Sequence, residues 1–253
     1  MNNTQRGDRM KKIVENGFLI KNNGMMKELV EYKIMFLNKN YLDDILALQA
    51  EVLDSLENPD TFVADTRDFI KDSLISGKHG KVIGVLSEGK LIAYRTINFP
   101  RQNKNNLGRD ISLSTEALEK VAHLESTVVH PHYRGNKLQS KMLPYSLKSI
   151  KELGYETILT TISPYNYPSL KNVMDYGLTI IDLKHREGEY EGKLRYLLTL
   201  NLIEENRKRK LTNSIKIKNN EILIQQQLLR KGYRGYKVVK QEESFDVYYR
   251  KYM

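Results

Sequence analysis

The sequence contains no cysteine. This absence excludes disulfide bonds, thiolate metal ligands and thiol nucleophiles, and it permits a reducing compartment. The chain also lacks an apolar run long enough to span a bilayer, and its start lacks the continuous apolar segment and the cleavage site of a signal peptide. We therefore expect a cytoplasmic protein that has no membrane partner.

Proline is scarce, at six in 253 residues, and 40% of the residues are hydrophobic against 28% charged. This composition is typical of a folded globular protein with a substantial core. The net charge of +10 would suit an anionic partner. Because lysine and asparagine are spread over many segments instead of being collected on one element, we do not expect nucleic acid to be that partner.

The first half of the chain predicts a strand, two helices and a hairpin. After an N-terminal stretch, residues 32–37 alternate as a strand does. One helix follows the Asn38–Asn40 region, and a second begins after Asp65 or Thr66. Two strands joined at Ser87–Lys90 then form a hairpin, and the long polar connection after it is of a kind that often borders a functional site.

The second half predicts a strand at residues 122–129, a helix from Leu138 to Leu153, a buried strand "ETILTTI", a short helix ended by Gly177, and two more strands. This order indicates a mixed α/β or α+β layered fold. The charged connector "IEENRKRKLTN" leads to a final segment that predicts one helix and two strands.

The loop "HPHYRGNKLQSK" joins a predicted strand to a predicted helix. The first N–H groups of a helix have no partners and carry partial positive charge, so a helix start can bind phosphate oxygens. Gly135 permits close approach of the backbone, and Arg134, Lys137 and Lys141 add charge. The same residues also fit an ordinary solvated turn, and the physics alone does not separate the two.

Residues Val129 to Ser140, "VHPHYRGNKLQS", resemble the acetyl-CoA-binding motif of the GNAT superfamily of N-acetyltransferases. A second motif, "SPYNYPSLKNVMDYG", resembles the family's later helix, with Asn166, Ser169 and Gly177 at its spacing. The resemblance implies a GNAT-like mixed, mostly antiparallel sheet flanked by helices. It divides the chain into an N-terminal extension (1–30), an acetyltransferase domain (31–202) and a small C-terminal extension (203–253).

The resemblance also implies which residues hold acetyl-CoA. The pantetheine arm pairs with the strand that ends at Val129, the diphosphate lies on the backbone amides of the loop, and Asn166 contacts the pantetheine or the substrate. The implied cofactor-binding residues are Thr127, Val128, Val129, Arg134, Gly135, Asn136, Lys137, Leu138, Gln139, Ser140 and Asn166. Since no histidine spacing suggests a ligand set, we expect no metal.

This chain departs from the family pattern at three points. Lys137 and Gln139 stand where the family commonly has small residues, and Pro144 lies inside the predicted helix, where it removes a hydrogen bond. Val173 stands where many members have the tyrosine that acts as general acid. Such transfers depend heavily on positioning, so the reaction can proceed without that acid.

Glu125, in the strand before the loop, is the candidate general base. A carboxylate near the reactive end of the cofactor could take a proton from an ammonium group. A lysine partner or a solvent-facing position is the alternative interpretation of this residue.

These features predict an enzyme that transfers an acetyl group from acetyl-CoA to a small-molecule or peptide amine by direct attack. A module of the same fold that binds acyl-CoA without turnover is the alternative. The acceptor has no signature in the sequence, and residues 203–253 could complete a pocket, cover a sheet edge or form a homodimer contact.

Overall fold

The sheet at the centre of the computed structural model has eleven strands among the residues that the structure describes, which are 13–24, 26–58, 61–75, 79–203 and 213–251. The strands are β1 (Ile13–Asn22), β2 (Lys27–Phe36), β3 (Gly80–Ser87), β4 (Lys90–Asn98), β5 (Val121–Val129), β6 (Thr157–Ile162), β7 (Thr179–His185), β8 (Leu194–Asn201), β9 (Ile215–Lys218), β10 (Arg234–Lys240) and β11 (Phe245–Arg250). Their order in the sheet is β1-β2-β3-β4-β5-β6-β8-β7-β10-β11-β9.

Helices cover both faces of this sheet. They are α1 (Leu42–Asp54), α2 (Arg67–Ile75), α3 (Thr115–Leu118), α4 (Leu138–Glu152), α5 (Tyr167–Met174) and α6 (Ile222–Arg230). The apolar faces of α1 and α2 pack with Tyr94 of β4 and Val128 of β5. On the opposite face, α4 and α5 pack with Leu124 of β5 and with β8.

The mixed, mostly antiparallel sheet predicted from the sequence is confirmed. Every neighbouring pair of described strands is antiparallel except β5 with β6. From β2 to β8 the longer elements follow the predicted order, and the Thr66 hydroxyl accepts from the N–H of Phe69 at the start of α2, as predicted. The predicted polar connection contains a 3-10 turn (Leu107–Ile111) and α3, both too short for a periodic signal.

The N-terminal stretch differs from the expectation of an extension, because β1 and the first part of β2 are strands of the sheet. Gly17 and polar residues interrupt the alternation of β1, so the sequence pattern is weak. Glu15 joins β1 to the rest of the chain: it accepts from Lys141 at 2.9 Å, from Tyr145 at 3.0 Å and from the Tyr32 hydroxyl. Residues 1–12 of the predicted extension lie outside the described residues.

The C-terminal segment continues the same sheet and shares its core. Strand β10 lies beside β7, where Gly235 pairs with Ile180 so closely that an added Cβ would lie 3.0 Å from the Ile180 side chain. Gln225 of α6 accepts from the buried hydroxyls of Tyr196 and Tyr249. The segment therefore covers the β7 edge and contains one strand, β9, more than predicted, while residues 204–212 of the charged connector lie outside the described residues.

Glu15→Gln should lower the free energy of unfolding by about 1 kcal/mol at neutral pH, because it removes a charge-assisted hydrogen bond. Burial alone raises the pKa of Glu15, but hydrogen bonds from Tyr32, Lys141 and Tyr145 lower it overall. The charged form therefore stabilises the fold above the unfolded pKa, and this stabilisation is lost as pH falls through the folded pKa. Chemical denaturation at several pH values measures it.

The matched control is Glu31→Gln, at an exposed position of β2. It should leave stability nearly unchanged at every pH. A Glu15→Gln deficit that persists at a pH below both pKa values would contradict the role given to the carboxylate.

Candidate active site

The site begins where two parallel strands stop pairing. Strands β5 and β6 are paired only over Val121–His123 and Thr157–Leu159. On its other edge β5 continues to pair with β4 as far as Val129. From Glu125 onward the β6-facing edge of β5 therefore has no strand partner among the described residues, and a cleft of about 450 Å³ opens there.

A β-bulge in β5 separates the side chains at this cleft onto two faces. Arg95 of β4 pairs with Thr127, and the next pairing, Ile97 with Leu124, is displaced by one residue. Glu125 and Ser126 consequently oppose a single residue of β4, and such a bulge redirects side chains. Leu124 packs in the core cluster of α4 and α5, whereas Ser126 donates to Asp65, just before α2, at 2.9 Å.

Glu125 is held by His123 on the face of α1 and α2. The backbone N–H of Leu107 donates to His123 Nε2 at 3.2 Å, so the proton of the neutral ring is assigned to Nδ1. That nitrogen lies 3.1 Å from Glu125 Oε1 and donates to it. Glu125 lines the cleft, and its side chain is 20% exposed. Its partner is His123, and not the lysine or the solvent of the alternative interpretation.

The start of α4 presents unpaired backbone donors. The N–H groups of residues 135–137 have no acceptor within the described residues, and those of Leu138 to Ser140 belong to the first turn of the helix. Gly135 has φ +87°, and open space surrounds the position of a Cβ there. This part of the loop has the donors and the space that a diphosphate requires.

Lys137 precedes the first residue of α4 in the left-handed conformation, with φ 56° and ψ 30°. The backbone thus keeps the shape that glycine adopts most easily, although a lysine occupies the position. A non-glycine residue in this conformation costs roughly 1 kcal/mol. Lys137 therefore differs from the family motif in its side chain, while its backbone has a conformation that glycine favours.

Several side chains of the loop have partners inside the protein. Arg134 donates to the Ser55 hydroxyl at 3.2 Å, and Asn136 exchanges hydrogen bonds with both backbone groups of Ile20 in β1. Lys141, predicted to add charge at the loop, bonds to Glu15 and Tyr32, and these hydrogen bonds raise its pKa. Within the described residues, the donors that remain open at the loop are therefore backbone N–H groups, the Lys137 side chain and the other N–H groups of Arg134.

Pro144 does not interrupt α4, which runs without a break from Leu138 to Glu152. A proline at this position leaves the carbonyl of Ser140 without its helical donor. The Tyr176 hydroxyl donates to that carbonyl at 3.0 Å, and the Ser140 hydroxyl donates to Asn172 of α5 at 3.0 Å. Tyr176 thereby supports the first turn of α4.

The predicted positions on α5 lie at the cleft. Asn166 lines it, but its side chain accepts from the N–H of Ser169 at 3.1 Å and donates to the carbonyl of Thr61 at 3.2 Å. Val173, at the usual place of the acid, is buried and also lines the cleft. Of the residues predicted to bind the cofactor, Thr127, Gln139 and Asn166 line the cleft, while the rest lie on the strand and loop that lead to it.

The sequence interpretation assigned no role to three residues of the cleft, Arg95, His123 and Tyr190. Arg95 is only 2% exposed, and although burial lowers the pKa of its guanidinium to about 10, it is protonated at neutral pH. His123 orients Glu125, and the Tyr190 hydroxyl accepts from Thr161 at 2.9 Å. For Arg95 the sequence does contain a signal of an unusual role, because this residue is a charged side chain inside the apolar run "LIAYRTI".

Within the described ranges, no group of three or more histidine or carboxylate side chains lies close enough together to hold a metal ion. In the same ranges, no helix is both long and apolar enough to cross a membrane.

The model of the GNAT acetyltransferase family matches residues 43–172, more than half of the chain. The chain belongs to this family. The matched range contains all but the first residue of α1, the whole of α2, the bulged strand β5, the loop at Gly135 and most of α5. Among curated proteins, none matches the sequence.

Solved structures of this family share the fold. An N-acetyltransferase from Staphylococcus aureus Mu50 superposes with a TM-score of 0.51 at 17% identity. The superposition covers 68% of this chain and 99% of the Staphylococcus chain. The yncA protein of Salmonella typhimurium, a putative acetyltransferase solved with its cofactor acetyl-CoA, superposes with a TM-score of 0.53 at 15% identity. The superposition covers 70% of this chain and 96% of the yncA chain. At these identities the likeness shows the fold alone.

Lys137→Gly should be more stable than Lys137→Ala by about 1 kcal/mol, because both remove the side chain but only glycine relieves the left-handed backbone. In an ordinary right-handed or extended position the order would be reversed. Chemical denaturation of the two variants measures the difference. An alanine variant that equals or exceeds the glycine variant would contradict the conformation given to this residue.

Proposed function

We propose that this protein is an N-acetyltransferase that transfers an acetyl group from acetyl-CoA to a small-molecule or peptide amine by direct attack. The observation that carries the proposal is the cleft between β5 and β6, which has open backbone donors at one end and an oriented carboxylate on one face. Family membership supports the acetyl donor, since the chain belongs to the GNAT acetyltransferases.

The residues on the α4 face fit the cofactor. The unpaired N–H groups from Gly135 to Ser140 would hold the diphosphate. The open edge of β5, Thr127 to Val129, would pair with the amides of the pantetheine arm, as the edge of a sheet pairs with an added strand. When bound, acetyl-CoA supplies an activated thioester for attack by an amine.

The residues on the α1 and α2 face fit an amine. Asp65 and Asp72 line the cleft together with Glu125, and carboxylates attract an ammonium group. Glu125 would take the proton that the amine must lose, and His123 and Leu107 fix the carboxylate in position. The connection after β4 thus contributes to the site through the backbone of Leu107.

A direct attack agrees with the side chains available. The chain has no cysteine, so it has no thiol on which to carry the acetyl group. Positioning of the amine against the thioester provides much of the rate enhancement in reactions of this type.

Calorimetry with coenzyme A, followed by assays of acetyl-CoA consumption with a panel of amines, tests the proposal. We expect binding and amine-dependent consumption. Binding without consumption by any amine would favour the alternative of a module that binds acyl-CoA without turnover. Failure of coenzyme A to bind would contradict both.

Glu125→Gln should lower kcat by about 100-fold, because the amide cannot accept the proton, and should leave the Kd for acetyl-CoA unchanged. Steady-state kinetics over a range of pH, with calorimetry for binding, measures both quantities. Glu152→Gln, at the exposed end of α4, is the matched control and should retain full activity. A Glu125→Gln enzyme with normal kcat at every pH would exclude Glu125 as the base.

A further inference from the structure

Arg95 is a buried cation that the described protein leaves almost without partners. Its side chain lines the cleft and is 2% exposed. The guanidinium makes one hydrogen bond within the described residues, a long one of 3.5 Å to the carbonyl of Gln139, and its Nε has no partner. None of the carboxylates in those residues forms an ion pair with it.

An arrangement of this kind is costly in the absence of a ligand. A guanidinium has five N–H donors in a fixed plane, and burial of an unpaired charge carries a large desolvation penalty. An anion that enters the cleft would recover part of that penalty. Arg95 therefore has the properties of a binding residue that is completed by what it binds.

The face of the sheet on which Arg95 lies narrows the choice of ligand. Arg95 is paired with Thr127 and reaches the first turn of α4 at Gln139, so it lies on the α4 face. Glu125 lies on the opposite face, where its neighbour Ser126 contacts Asp65. Under the proposed function, a carboxylate on the acceptor would approach from the side of Glu125, whereas the acetyl donor would approach from the side of Arg95.

We propose that Arg95 stabilises the negative charge on the sulfur of coenzyme A, in place of the acid that Val173 does not provide. The inference rests on the proposed function. Val173 and Arg95 line the same cleft. The hydroxyl of Tyr176, which follows Val173 in the chain, already donates to the carbonyl of Ser140. A cation that stays protonated can balance a thiolate without transferring a proton to it.

The charges balance across the two faces. The amine nitrogen forms a bond to the carbonyl carbon of the acetyl group, and the bond from that carbon to sulfur breaks. The electron pair of the broken bond goes to sulfur, where Arg95 would offset its charge. An ammonium substrate first loses one proton to Glu125, which passes it to water, and the nitrogen loses a second proton by the same route after it has bonded to carbon. The products are an acetamide and the thiolate of coenzyme A.

A comparison of coenzyme A with its desulfo analogue tests this inference by binding alone. Calorimetry at about pH 8.5, near the ordinary pKa of a thiol, should show that the wild type prefers coenzyme A by roughly 10-fold or more, as a charge-assisted hydrogen bond provides. Arg95→Met should abolish the preference and leave the affinity for the desulfo analogue unchanged. Arg95→Lys should retain part of it, since the charge remains.

Arg195→Met is the matched control, because Arg195 is a second buried arginine of the cleft and lies on the other face from Tyr196 and the α4 core. It should keep the preference for coenzyme A. Kinetics add a second readout: Arg95→Met should lower kcat with little change in the KM for acetyl-CoA, while a merely structural role would reduce the affinity for both ligands and the melting temperature.

Equal affinity of the wild type for the two ligands would overturn the inference, and this measurement needs no variant to fold. An Arg95→Met variant that loses affinity for both ligands equally, at an unchanged melting temperature, would assign Arg95 to the pantetheine arm. One that raises only the KM of the amine would assign it to the acceptor. Either result overturns the role at sulfur. Failure of the wild type to bind either ligand would contradict the proposed function itself.

Discussion

The short pairing between β5 and β6 is the constraint on which the site depends. Parallel strands joined by a helix would ordinarily continue their ladder, but here the ladder ends after His123 and Leu159. The loss of these hydrogen bonds leaves an open strand edge and a cleft inside the sheet. Because β5 remains paired with β4 as far as Val129, the open edge is held rigidly from its other side.

The contacts around the cleft support this opening. The Thr160 hydroxyl donates to the carbonyl of Leu124 at 2.7 Å, just beyond the last paired residues, and so satisfies a buried acceptor at the point of separation. Tyr176 and Asn172 hold the first turn of α4 on one side. On the other side the bulge turns Ser126 towards Asp65, so each face of the cleft is supported separately.

The sequence predicted the elements with strong periodicity and the loop between β5 and α4, because their signals are local. It did not predict β1, because Gly17 interrupts the alternation of this strand. The side-chain contacts of β1, from Glu15 to Lys141 and from Ile20 to Asn136, each join residues more than a hundred positions apart. The departure of Lys137 from the small residue of the family motif was apparent from the sequence, but its left-handed backbone was not.

In the candidate site, too, the sequence predicted what depends on local signals and not what depends on contacts between distant residues. Glu125 was predicted as a base from its place in the strand, yet the proton donor that orients it, His123, requires the N–H of Leu107 from a distant turn. The burial of Arg95 follows from the packing of α4 on β4 and has only a weak sequence signal. Such roles depend on contacts between elements, which a single sequence does not specify.

A crystal structure of the protein with coenzyme A bound tests the central claim most directly. The account predicts that the pantetheine arm pairs with the open edge of β5 and that the diphosphate oxygens accept from backbone N–H groups between Gly135 and Ser140. A cofactor bound elsewhere, with the cleft between β5 and β6 empty, would contradict it.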